Sequence, residues 1–80
     1  MDKRELDTRF TYHPPTGDQP DRYQAIRDGA KRLARVISKL TPESREQALA
    51  FTHLEEMVFW ANASIARRDE QELEEAPTDD

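Results

Sequence analysis

Eighty residues with 35% hydrophobic content and no cysteine make one small domain that must find its stability without disulfides. The only two histidines, His13 and His53, lie forty residues apart and lack the close spacing of a structural zinc site, which leaves oligomerisation as the favoured source of extra burial. The net charge of −5 is unevenly spread: residues 69–80 hold seven of the seventeen acids and no base, so residues 1–68 carry ten acids against twelve bases, a net +2.

In chain order, residues 2–8 can form a short leading helix, with Leu6 as its sole apolar anchor. The stretch from Arg9 to Gly17, Arg-Phe-Thr-Tyr-His-Pro-Pro-Thr-Gly, reads as an extended arm, because its two prolines fix φ and remove two backbone donors. Phe10 and Tyr12 alternate along that arm, so one ring can anchor on apolar surface while the other is presented. Tyr12, with a hydroxyl and a π-face, suits stacking on a nucleobase. Its alternative role is a cap over an oligomer core.

From Asp18 to Leu40, Tyr23, Ile26, Ala30, Leu33, Ile37 and Leu40 recur in steps of three and four, the pattern of an amphipathic helix. Asp18 and Gln19 offer capping groups and Pro20 suits the first turn. Gly29 weakens this helix by about 1 kcal/mol relative to alanine, so it marks either a close approach by another group or a neutral surface position. Arg27, Lys31 and Arg35 form a basic stripe that Arg22 and Arg32 widen. It can grip phosphate or simply be a solvated face.

Thr41-Pro42-Glu43-Ser44 ends this helix, and the expected restart has Thr41 as N-cap and Pro42 as the first helical residue. The second helix is expected over about 42–68. The short connection makes an antiparallel hairpin. Phe51, Leu54, Val58, Ala61 and Ile65 form one stripe, whereas Leu49, Met57, Phe59 and Trp60 fall outside it. A hairpin cannot cover so much apolar circumference, which argues for subunit contacts along this helix, or for an arm folded back over Trp60. Residues 69–80 read as a disordered acidic tail, with electrostatic screening of long polyanions as its sharper role.

The expected class is therefore all-α, an antiparallel helical hairpin with an extended N-terminal arm, assembled into a compact homo-oligomer. No apolar run approaches the roughly 20 residues that span a bilayer and the N-terminus lacks a signal-peptide core, so a soluble intracellular protein without membrane attachment is expected. Catalysis finds little support: the sequence has no Gly-rich phosphate loop, no cysteine nucleophile, no paired metal motif and no triad spacing, so neither cofactor nor metal is expected. Adjacent Glu55 and Glu56 diverge by about 100° on a helix and cannot pair within one protomer. The small basic excess and acidic end disfavour DNA. A helical interaction module and, less favoured, a phosphodiesterase remain as other classes.

Phe10-Thr11-Tyr12-His13-Pro14-Pro15, Gln19-Pro20, Arg22-Tyr23, Ile26-Arg27, Pro42-Glu43-Ser44-Arg45-Glu46 and Trp60-Ala61-Asn62-Ala63-Ser64-Ile65-Ala66-Arg67 together resemble the phage anti-CBASS cyclic-oligonucleotide sponges. The resemblance runs from about Arg9 to Arg67 and omits the acidic end. It implies a homohexamer that sequesters cyclic dinucleotides, and in some members cyclic trinucleotides, without cleaving them. The protein would act in the cytoplasm of the infected bacterial host and block effector activation. Carried over by position, Tyr12 stacks on a base and Arg27 is the basic residue early in the following helix, where some members are expected to carry lysine. His13 and Pro14 of the same string and Lys31 one turn beyond Arg27 join the expected ligand set. The segment from Asn62 to Arg67 is expected to line a separate trinucleotide pocket where subunits converge.

Overall fold

In the computed structural model, residues 1–72 are described, with side chains as far as Asp69. The chain forms three helices, α1 (Lys3–Phe10), α2 (Gln19–Leu40) and α3 (Arg45–Glu72), and α2 packs against α3 as a hairpin. At about 1.5 Å per residue they are about 12, 33 and 42 Å long. No helix among the described residues is long and apolar enough to cross a membrane.

The leading helix is present and longer than expected, taking in Arg9 and Phe10 and leaving only Thr11–Gly17 as arm. Asp2 caps it by accepting from the Arg4 amide at 3.1 Å. Arg9 pairs with Glu5 one turn back at 2.8 Å, an i, i+4 contact that favours helix through Arg9. Leu6 is exposed rather than anchoring. What ties α1 down is polar: Arg68 donates to Glu5 at 2.5 Å, and His13 donates from Nε2 to the carbonyl of Thr8 at 2.7 Å. That carbonyl is one of those left without a partner at a helix C-terminus.

Gly17 turns the arm into α2 with φ of +56°, a left-handed conformation that glycine adopts without steric cost. On α2, Tyr23, Ile26, Ala30, Ala34 and Ile37 are half-buried, while Leu33 and Leu40 from the expected stripe are exposed. At 3.6 residues per turn these two sit roughly 80° and 100° round from Tyr23, beyond the seam with α3. Ala34 takes the position expected of Leu33.

The α2–α3 connection departs from expectation by one turn. Thr41 closes α2 instead of opening α3, its hydroxyl and amide both donating to the Ile37 carbonyl at 2.7 and 3.0 Å. Ser44 is the N-cap, accepting from the Gln47 amide at 3.1 Å, and Gln47 reaches back to the Thr41 carbonyl at 3.1 Å. Ser44-x-x-Gln47 is a capping-box sequence, and it prevails over Thr41-Pro42 because proline biases Thr41 towards extended backbone. At the other end α3 passes the expected stop at Arg68, and residues 69–72 of the expected disordered tail are helical. The rest of that tail, 73–80, lies outside the described residues.

Phe51, Leu54, Val58, Ala61 and Ile65 are half-buried, as their stripe predicts, and Leu49, Met57, Phe59 and Trp60 are exposed. The arm does not fold over Trp60, which is 67% exposed. Among the described residues no apolar side chain is fully buried. The radius of gyration, 15.7 Å, exceeds the roughly 12 Å of a globular chain of this length, so the hairpin does not close a core by itself.

Candidate functional site

The arm leaves α1 beside the hairpin and runs to the start of α2, so Tyr12 and His13 come to stand where α2 and α3 flank a cleft of about 360 Å³. Its α2 wall is Tyr23 and Arg27, one helical turn apart. Its α3 wall is Phe59, Asn62, Ala63, Ala66 and Arg67, spaced in threes and fours on one face, and Arg9 closes the α1 end. The two alanines keep the wall low between larger groups. Three guanidinium groups, two phenols, a phenyl and an imidazole line the cleft, and no carboxylate does.

Five of the seven expected site residues, Tyr12, His13, Arg27, Asn62 and Arg67, line this one cleft. Asn62 and Arg67, expected at a separate pocket, stand with Tyr12 in the protomer; Arg67 also borders a neighbouring hollow with Trp60 and Ser64, which shares Arg9 and Ala63 with the cleft. Lys31 is outside the cleft. It lines an adjoining, mainly apolar groove of about 520 Å³ that shares Arg27 and Phe59 with the cleft and extends along Ala30, Ala34, Leu54 and Val58. Pro14 faces another hollow, with Thr16, Gln19 and Asp69.

Phe10 and Tyr12 border different cavities, but not by alternation along an extended arm, since Phe10 is the last residue of α1, and neither anchors the arm: they are 80% and 79% exposed. Anchoring comes from His13 and, at the arm's other end, from Gln19. Gln19 Oε1 accepts from the Thr16 amide at 3.0 Å, and the Gln19 amide donates to the Thr16 carbonyl at 3.0 Å.

Electrostatics sort the cations around the cleft into two groups. Glu5 accepts from Arg68 and from Arg9, and these hydrogen bonds hold its carboxyl at about 2, well below the usual 4.5. Arg22 binds both oxygens of Asp69, one at 3.0 Å, and accordingly Arg22 is raised while Asp69 is lowered, with Gln19 adding to the shift on Asp69. Arg27 and Arg67 have no carboxylate partner among the described residues. Asn62 Oδ1 is buried and accepts no hydrogen bond from the described residues. His53 pairs with Glu56 on an exposed face at 3.1 Å, and Glu55 borders the adjoining groove, so these acids serve different surfaces. No group of three or more His, Cys, Asp or Glu residues among those described could hold a metal ion.

Sequence reasoning did not place Tyr23 or Phe59 in the site, reading both as apolar packing. The available signal was Asn62, a polar residue interrupting the face shared by Phe59, Ala63 and Ala66. Gln19 and Asp69 were passed over as a capping group and a tail residue; the Thr16-x-x-Gln19 spacing was the clue to the first.

Searches of curated proteins and of solved structures return no match. The family model described as the Acb2/Tad1 hairpin domain matches residues 2–66, which takes in α1, the arm, α2 and most of α3, and the chain therefore belongs to the Acb2/Tad1 hairpin-domain family, consistent with its anti-CBASS members.

Proposed function

We propose that this protein is a sponge for cyclic oligonucleotide messengers, binding them in the Tyr12–Arg27–Arg67 cleft without cleaving them and so keeping them from the effector of a bacterial host under phage attack. The observation that carries this reading is the cleft itself, with flat rings and two arginines that have no carboxylate partner among the described residues. A cyclic dinucleotide presents two bases and two phosphodiester charges. Tyr12 and Tyr23 offer π-faces, worth about 1–3 kcal/mol per stacked base. Arg27 and Arg67 offer planar forks that engage phosphate bidentately.

On this reading the sponge domain is residues 1–68, Lys31 extends the basic rim, His13 and Pro14 shape the arm, and cyclic trinucleotides use the surface around Arg67. The exposed apolar flank of α2 and α3 is covered by further copies of the chain in a homohexamer, which repeats the cleft around the assembly and gives one small protein many sites. The site of action is the cytoplasm of the infected host, and the partners are cyclic nucleotides and other copies of itself, with neither DNA nor membrane.

Calorimetric titration with a panel of cyclic di- and trinucleotides, run beside a solution mass measurement, tests the reading. Saturable binding to a multimer, with ligand recovered chemically intact after denaturation, is the expected result. A monomer that binds none of the panel would overturn it, and recovery of linear dinucleotide would make the protein a phosphodiesterase.

A further inference from the structure

Gln19 is the only buried polar residue among those described, at 8% exposed, and every polar atom of its carboxamide is engaged. Oε1 accepts from the Thr16 amide at 3.0 Å. Nε2 donates to Asp69 Oδ2 at 3.0 Å and to the Ile65 carbonyl at 3.4 Å. Asp69 is itself gripped by Arg22, one turn along from Gln19. The root of the arm, the first turn of α2 and the end of α3 are thus knotted at one point, and of the two α3 residues in the knot Asp69 lies beyond the residues 2–66 that the family match covers.

Tyr12 needs such a device. A ring 79% exposed is not held by its own burial, so its position is set by where its backbone is fastened. The fastenings both follow it in the chain: His13 to the Thr8 carbonyl at 2.7 Å, and Thr16 to Gln19 at 3.0 Å. Pro14 and Pro15, with φ fixed, link His13 to Thr16. Movement at Thr16 is therefore transmitted to the cleft instead of being absorbed by a slack chain.

Resting on the sponge reading above, we infer that Gln19 and Asp69 are positioning residues: their clasp fixes the arm so that the Tyr12 ring is held over the cleft before ligand arrives. Holding it there beforehand removes the ordering cost that binding would otherwise carry. The clasp selects for the amide at position 19. A glutamate there sets a carboxylate against Asp69 and the Ile65 carbonyl, which drives its side chain out of the clasp and releases the Thr16 amide.

The test uses the full-length Gln19→Glu variant, Asp69→Asn, and the two combined, with amide hydrogen exchange of the arm and titration with cyclic di-AMP and cyclic di-GMP as readouts. Gln19→Glu is expected to speed exchange at Thr16 and His13 and weaken binding of the preferred probe by about tenfold. Adding Asp69→Asn, whose amide donates to the new carboxylate, is expected to bring both back to within about threefold of wild type. In a Tyr12→Ala background Gln19→Glu should no longer weaken binding. A merely structural role predicts otherwise, because a glutamate in the first turn of α2 meets the positive end of the helix dipole and stabilises it. Unchanged Thr16 exchange in Gln19→Glu would overturn the clasp, and faster exchange with undiminished affinity would overturn its positioning role. If wild type binds neither probe nor any other member of the panel, the sponge reading fails and the exchange rates alone decide the clasp.

Discussion

Replacing Tyr12 with alanine separates binding from folding, because the ring is 79% exposed in the protomer. Full burial of a side chain of this size stabilises by about 1.5–3 kcal/mol, so the fifth of Tyr12 that is covered contributes about 0.5 kcal/mol. For a chain this small that lowers the thermal midpoint by about 2–4 °C. Loss of one stacked base removes about 1–3 kcal/mol of binding, which raises Kd by about 5- to 150-fold. Tyr12→Phe keeps the π-face and should stay within about threefold of wild type. Phe10→Ala is the matched control, since Phe10 is equally exposed but borders the hollow beside Trp60 rather than the cleft. Titration and thermal melting on the same samples decide the matter. Undiminished affinity in Tyr12→Ala would refute the stacking role, and a fall in midpoint above about 10 °C would show the ring to be part of the packing.

The two glycines should respond with opposite signs. Gly29→Ala adds a methyl that meets only the end of the Arg32 side chain, at an ordinary 3.7 Å, so it should raise stability in denaturant melts by about 1 kcal/mol through helix propensity; a loss would reveal another backbone packed on that position. Gly17→Ala meets no atom within 4 Å, yet φ is +56°, so it should lower stability by about 1 kcal/mol from backbone strain alone. The Glu5 contacts with Arg68 and Arg9 give an acid dependence of known sign. The folded carboxyl is held at about 2 against 4.5, so its stabilisation is complete above about pH 4.5 and is lost as pH falls towards 2. The difference in thermal midpoint between wild type and Glu5→Gln should be constant near neutrality and close across that window; a difference persisting unchanged at pH 2 would assign it to something other than this charge.

Helices α2 and α3 were legible because each repeats apolar residues at helical spacing over about four turns or more, from Tyr23 to Leu40 and from Phe51 to Ile65, and such a pattern survives small local errors. Their junction was less so, since Thr41-Pro42 and Ser44-x-x-Gln47 are both acceptable helix starts, and the choice depends on Thr41 being engaged at the end of α2. Helix α1 was hard to read for a different reason. Its tie to α3 is a salt bridge between residues 63 positions apart, which leaves no mark in hydrophobic periodicity. The clasp of Gln19 on Asp69, 50 positions away, was hidden in the same way, and a run of acids that reads as tail conceals a first member paired with arginine. Within the cleft, Tyr12 was legible from its chemistry, whereas Arg27 was singled out from the basic stripe by the family resemblance. Tyr23 and Phe59 were not, because an aromatic on an apolar stripe carries no sign of whether it faces a helix or a cleft.

The carboxylates near the cleft do as much to define it as the arginines that line it. Glu5 engages Arg9 and Arg68, and Asp69 engages Arg22, so much of the positive charge at this end of the molecule is already neutralised within the chain. Arg27 and Arg67 are left facing the cleft without an acidic partner among the described residues. Two such guanidinium groups match the two charges of a cyclic dinucleotide. A long polyanion, whose affinity grows with the number of phosphates neutralised, gains only these two unpaired arginines from the cleft lining. The same ion pairs are the ones that fasten α1 and the α2 start to α3. On the sponge reading, charge selection and rigidity come from one set of contacts: Asp69, which braces the arm through Gln19, and Glu5, which ties α1 to α3, also neutralise cations at this end of the molecule.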